Sequence, residues 1–239
     1  MSERRRVAAF FDLDGTVIAP PSLEFRFAVF LARRHELRLS AAFRWLGAFL
    51  KKGVKAVHEN KNYLSGVREG SAREWAEENF YSMECYADAL WRIAWHREQG
   101  HSVFFVSGTL APQARAAANH IAREGEIGVA ATELQSFAGR WTGCVAGVAI
   151  CGAAKAHSIR ELAARHDIDL ARSYAYGNSL ADRWMLACVG NATVVNPGTR
   201  LKWLALRRGW RIAHWPRLEP GLEIPPDSAE QEFAPLRRL

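Results

Sequence analysis

Apolar positions along the chain follow two different periods. From Val7 to Leu13 the run V-A-A-F-F-D-L is apolar without alternation, which predicts a strand buried on both faces, and it stops at Asp14-Gly15. Short apolar strands are predicted again at His101 to Ser107, Gly128 to Leu134, Ser173 to Tyr176, Ala192 to Val195 and Trp210 to His214. Helical spacing fills Pro112 to Arg123, Lys155 to Arg165, Leu180 to Cys188 and Arg200 to Arg208. Strand and helix in alternation predict an α/β fold, a parallel sheet with helices on both faces. The stretch Phe137 to Val145 is the exception: Gly139 and Gly143 bracket short β-prone pieces, which predicts a hairpin.

Residues 20–100 break the alternation. They are rich in Ala, Leu, Arg, Lys and Glu, lack a convincing strand, and predict an inserted helical domain. Phe27, Phe30 and Leu31 share one helical face, as do Phe43, Leu46, Phe49 and Leu50, with Arg44, Lys51 and Lys55 on another face of the second helix. Residues 216–239 contain five prolines and predict an irregular tail.

Charge sharpens this division. The chain carries a net +7, and the segment from Arg26 to Lys61, with nine Lys/Arg against Glu36 and Glu59, accounts for all of it. A basic surface confined to one segment suits an anionic partner: a phosphorylated substrate, an acidic lipid surface or nucleic acid; a solvated helix face explains it equally well. No zinc-ligand set, RNA-binding aromatic motif or helix-turn-helix pattern stands out, so nucleic acid ranks last. The four cysteines form no C-x-x-C pair, no run of 18 apolar residues occurs, and the start of the sequence lacks a leader's apolar stretch. The expectation is a cytoplasmic protein with reduced thiols, with peripheral membrane contact through the basic segment as a variant of it.

Candidate chemistry begins where the first strand ends. F-F-D-L-D-G-T sets Asp12 and Asp14 two residues apart at a C-terminal strand edge, where open α/β sheets bind ligands, and Gly15 lets the backbone turn both carboxylates into one pocket. Such a pair repels itself, which raises one pKa or recruits a cation. A solvated Asp-rich turn accounts for a lone D-x-D as well. Three later features follow in order: Ser107-Gly108-Thr109 closing a strand, Lys155 opening a helix, and Gly177-Asn178-Ser179-Leu180-Ala181-Asp182 after another strand.

In this order the four segments resemble the motifs of the haloacid dehalogenase (HAD) superfamily, and helical material between the first two resembles the cap of its phosphoserine-phosphatase-like branch, subfamily IB. The resemblance implies a Rossmann-like core of residues 1–19 and 101–215, a helical cap of residues 20–100, and an Mg²⁺-dependent phosphatase acting on a small phosphorylated metabolite or a phosphorylated lipid head group. It implies Asp12 as nucleophile and Asp14 as general acid and base, with a higher pKa on Asp14. Ser107, the backbone N–H groups of Leu13 and Gly108, and Lys155 would hold the phosphoryl group. Asp12, Asp14, Asn178 and Asp182 would form the metal site, Asp182 acting through water or by orienting Lys155.

Two positions depart from the pattern. Asn178 stands where the family usually has an aspartate, so weaker metal binding is expected, and a lapsed phosphatase that binds phosphorylated or acidic ligands without turnover is the alternative. The glutamate that phosphoserine phosphatases place soon after the first motif is missing, and the first acid is Glu24, which puts phosphoserine in doubt.

Overall fold

The computed structural model describes residues 5–37, 61–79, 84–123 and 125–217. Six strands form one parallel sheet: β1 (Ala8–Phe11), β2 (Ser102–Leu110), β3 (Ile127–Thr132), β6 (Tyr174–Gly177), β7 (Asn191–Val195) and β8 (Arg211–Ala213), in the order β3-β2-β1-β6-β7-β8. β1 lies in the middle and all four of its residues are buried, as its unbroken apolar run requires. Phe11 faces one layer, stacked on Tyr176 at 4.4 Å, while Phe10 faces the other, stacked on Phe104 at 5.5 Å.

Helices α1 (Leu23–Arg33), α2 (Gly70–Asn79), α3 (Ala87–Glu98), α4 (Ala111–Ile121), α5 (Ala153–His166), α6 (Arg183–Leu186) and α7 (Thr199–Arg208) complete the described elements, with short 3₁₀ turns at Asn62–Leu64 and Leu180–Asp182. The parallel α/β architecture and most element positions agree with the periodicity. Leu180 to Cys188 differs, being a 3₁₀ turn followed by the four-residue α6.

Within residues 20–100, α3 packs on β1 and β2, α1 packs on α2 and touches β2, and α2 packs chiefly on α4. Buried in α3, His96 sets Nδ1 2.9 Å from His101 Nδ1 and Nε2 2.9 Å from the Tyr176 hydroxyl. α1 starts at Ser22, whose Oγ accepts from Phe25 N–H at 3.3 Å, and buries Leu23, Phe27 and Leu31 at four-residue spacing. Phe30, expected on the same face, is half-buried beside them.

The hairpin is real but its turn is not where both glycines placed it. β4 (Leu134–Phe137) and β5 (Arg140–Val145) are joined at Ala138-Gly139, while Gly143 lies inside β5. Gly143 has φ +86°, and a Cβ there would come within 2.9 Å of Asn62 Cα, so it serves close backbone approach rather than the turn. The hairpin is bonded to residues 66–69: Gly66 N–H donates to Trp141 O at 2.8 Å, Trp141 N–H to Val67 O at 2.9 Å, and Glu69 N–H to Gly139 O at 3.0 Å. Trp141 is buried against Phe27 at 6.1 Å, with Trp75 of α2 at 5.7 Å from the same ring. Cutting Phe27 to Ala would cost roughly 3–5 kcal/mol at this junction.

The second basic helix, with Phe43, Arg44, Leu46, Phe49, Leu50, Lys51 and Lys55, lies outside the described residues, as does the tail from residue 218. Lys61, read from the sequence as part of a basic surface, is fully buried. No described helix is long and apolar enough to cross a membrane, and none of the four cysteines is in a disulfide.

Candidate active site

β1, β2 and β6 deliver their C-terminal ends to one cavity of about 710 Å³, and the start of α1 with Tyr63 forms its opposite wall. Asp12, Asp14, Ser107, Gly108, Lys155, Asn178 and Asp182 all line it, so the four separated segments meet. Leu13 keeps its side chain in the core.

After Asp12 the chain turns tightly, because Leu13 O accepts from the N–H groups of Thr16, Val17 and Ile18 at 2.9–3.1 Å. Gly15 makes the turn possible at φ +83°. The turn brings Thr16 Oγ1 to 3.4 Å from Asp12 Oδ2. Lys155 enters from the first turn of α5 and donates from Nζ to Asp12 Oδ1 at 2.5 Å and to Asp182 Oδ1 at 2.6 Å. All three side chains are nearly or wholly buried. Burial alone would lower the Lys155 ammonium, but Asp12 and Asp182 outweigh it and hold the pKa above its usual value.

Asp182 is fully committed within the protein. Its Oδ2 accepts from Ser179 N–H at 2.9 Å and Ser179 Oγ at 2.7 Å, leaving Oδ1 to Lys155. Both oxygens thus have protein donors, the arrangement that the second role considered for Asp182, orienting Lys155, would call for. Asp14 points to the start of α1, where Oδ1 accepts from Leu23 N–H at 2.7 Å, and its Oδ2 accepts from the Thr109 hydroxyl. Ser107 Oγ is buried and accepts from Thr109 N–H at 3.2 Å.

Burial raises both acids. Asp12 is pushed up to about 7 by burial and then by Asp182, with Lys155 pulling the other way. Asp14 is also raised, first by burial and further by the nearby Glu24, against its hydroxyl and amide donors. Each acid thus sits between a carboxylate that raises its pKa and donors that lower it: Asp182 and Lys155 at Asp12, Glu24 with the Thr109 hydroxyl and Leu23 N–H at Asp14.

Among the described residues no three His, Cys, Asp or Glu side chains come together as a metal-binding group. Asn178 instead offers an amide oxygen: its Oδ1 is buried without a hydrogen-bond partner. An orphaned amide oxygen in the cavity that Asp12 and Asp14 also line is the kind of oxygen donor set a hard cation prefers, so these residues fit Mg²⁺.

Four contributors escaped the sequence reading. Thr109 and Thr16 lie inside quoted motifs, yet nothing in their spacing marks the hydroxyl that holds a carboxylate. Tyr63 and Lys61 both donate to Glu24, and Lys61 was counted only as a surface cation.

Fold and site together are those of an α/β protein with its chemistry at the C-terminal edge of a parallel sheet. Residues 9–187 match the family described as haloacid dehalogenase-like hydrolase, and the chain belongs to that family. Among its relatives, phosphoserine phosphatase SerB1 of Mycobacterium tuberculosis is 32% identical, the match covering 86% of this chain and 70% of that protein. An inhibition of morphological differentiation protein of Streptomyces azureus is 36% identical, over 94% of this chain and 86% of that one. Solved structures agree in fold. A protein of unknown function from Bordetella pertussis superposes with a TM-score of 0.73 at 22% identity, over 88% of this chain and 99% of that one. A phosphoserine phosphatase captured as a phospho-aspartyl intermediate analogue gives 0.62 at 16%, over 88% and 94%.

Proposed function

We propose that this chain is a phosphoric monoester hydrolase, an Mg²⁺-dependent phosphatase that works through an aspartyl-phosphate on Asp12. The observation that carries this reading is the buried line Asp182–Lys155–Asp12, with Asp14 across the same cavity and held by different partners. Named phosphatases among the relatives support the same reaction class.

Asp12 attacks phosphorus, the ester bond to the leaving oxygen breaks, and Asp14 gives that oxygen its proton. Asp14 then takes a proton from the water that opens the aspartyl-phosphate, which releases phosphate and restores Asp12. The raised pKa of Asp14 suits a group that must start protonated. Lys155 offsets the charge of Asp12 and the phosphoryl group together, and Asp182 fixes its direction. Ser107 and the backbone N–H groups of Leu13 and Gly108 take phosphoryl oxygens. Asp12, the Asp14 carbonyl and Asn178 would hold Mg²⁺, which when bound supplies positive charge beside the phosphoryl oxygens.

The neutral Asn178 also favours a second reading, a chain that binds phosphorylated ligands without turnover. An assay with an aryl phosphate and saturating Mg²⁺ decides between them. The wild type should turn over and Asp12→Asn should lose activity by several orders of magnitude. An inactive wild type would leave the binding-only reading, and full activity in Asp12→Asn would remove the proposed nucleophile.

A further inference from the structure

Opposite Asp12, the cap-side wall of the cavity is made by Phe25, Ala28 and Leu37 together with one acid, Glu24. Among the described residues that line the cavity, Glu24 is the one carboxylate outside the Asp12, Asp14 and Asp182 set. Both of its oxygens have donors. Lys61 Nζ, fully buried, donates to Oε2 at 2.5 Å, and the Tyr63 hydroxyl donates to Oε1. Burial and the Glu24 charge raise the Tyr63 pKa well above its ordinary value, so the hydroxyl keeps the proton it donates.

A carboxylate so engaged is a poor receptor for an ammonium group. Lys61 has already neutralised it, and a second cation would meet that lysine's repulsion at short range. Apart from Ser22 and Tyr63 the rest of this wall is apolar, and Phe25 is 59% exposed, a large aromatic surface beside the reaction centre.

We propose that the leaving group of the substrate is uncharged and apolar beyond its ester oxygen, an alkyl or aryl alcohol that lies on Phe25, Ala28 and Leu37, and that the Glu24–Lys61–Tyr63 cluster excludes amino alcohols and amino acids. This rests on the phosphatase reading for its chemistry, but the recognition itself is a matter of binding.

The test is calorimetric titration of the full chain, with Mg²⁺, using three non-hydrolysable phosphonates: hexyl, phenyl and 2-aminoethyl. Hexyl- and phenylphosphonate should bind about tenfold more tightly than 2-aminoethylphosphonate, and which of the two is tighter separates a long-chain from an aromatic leaving group. Equal or tighter binding of the aminoethyl compound, or no measurable binding of any of them, overturns the proposal. Turnover of the matching phosphates is measured in parallel. The expected binding order without turnover would sink the phosphatase reading and leave this inference standing. Tyr63→Phe, which takes one donor from Glu24 without stranding a charge, should narrow the preference several-fold. Phe25→Ser should weaken hexylphosphonate about threefold to tenfold. A preference unmoved by both, in variants that keep the wild-type circular dichroism, removes this wall from substrate recognition.

Discussion

Replacing Gly15 with alanine tests the link between the first turn and the proposed metal shell. Gly15 sits at φ +83°, and a Cβ built there falls 2.0 Å from Asn178 Nδ2 and 3.0 Å from its Cγ. Non-bonded atoms rest about 3.5–4.0 Å apart, so the amide must retreat by roughly 1.5 Å. The left-handed backbone adds a cost of about 1–2 kcal/mol for alanine, which lowers Tm by roughly 2–8 °C in a chain of this size. Because Asn178 Oδ1 is an orphaned acceptor and Asn178 lines the same cavity as Asp12 and Asp14, its retreat should raise the Mg²⁺ concentration for half-maximal activity about tenfold or more. Thermal melts and Mg²⁺ titrations of the aryl phosphatase activity, run on the same preparations, read the two effects separately. A lowered Tm with an unchanged Mg²⁺ requirement would refute the reasoning, since the amide would have moved without consequence for the cation. Asn178→Asp is the companion variant and should lower that requirement.

Acid stability offers an independent check on the core. Burial, then His101 and Arg92, lower the His96 imidazole to about 3. The unfolded chain takes up that proton near pH 6.5, so stability is full above about 6.5 and declines as pH falls toward 3. At pH 5 the loss from His96 is about 2 kcal/mol. Urea unfolding at pH 7.5 and 5.0 should show that loss shrinking by this amount in His96→Gln, and an identical loss in both proteins would mean that His96 is not held neutral. Asp182→Ala releases Lys155 from one of its two carboxylates and leaves Ser179 without its acceptor. It should lower kcat about tenfold to a hundredfold with little change in the Mg²⁺ requirement, and a large rise in that requirement would instead put Asp182 in the metal shell.

Apolar runs with no alternation were enough to mark the strands of the sheet, because a parallel sheet covered on both faces demands them. The order of Asp12, Ser107, Lys155 and Asp182 brought the site together for the same reason: each follows an apolar strand or opens a helix, so each lands on one sheet edge. Charge was less legible. Lys61 counted toward a basic surface, but a sum of charges is blind to pairing, and only the fold shows this lysine sealed against Glu24. Gly143 looked like a second turn residue because composition cannot distinguish a glycine that bends the chain from one that lets another backbone come close. Thr109 hid for a different reason: its partner Asp14 is 95 residues away in sequence.

The hairpin joins stretches of the chain that lie far apart in sequence. Its strands follow β3 in the chain, yet its backbone is stitched to residues 66–69, and its Trp141 fills the junction with Phe27. The wall raised opposite Asp12 by Tyr63 and the start of α1 is therefore braced from two distant stretches of sequence. Residues 20–100 grafted alone onto another core would leave Phe27 without Trp141 and residues 66–69 without their hairpin partners.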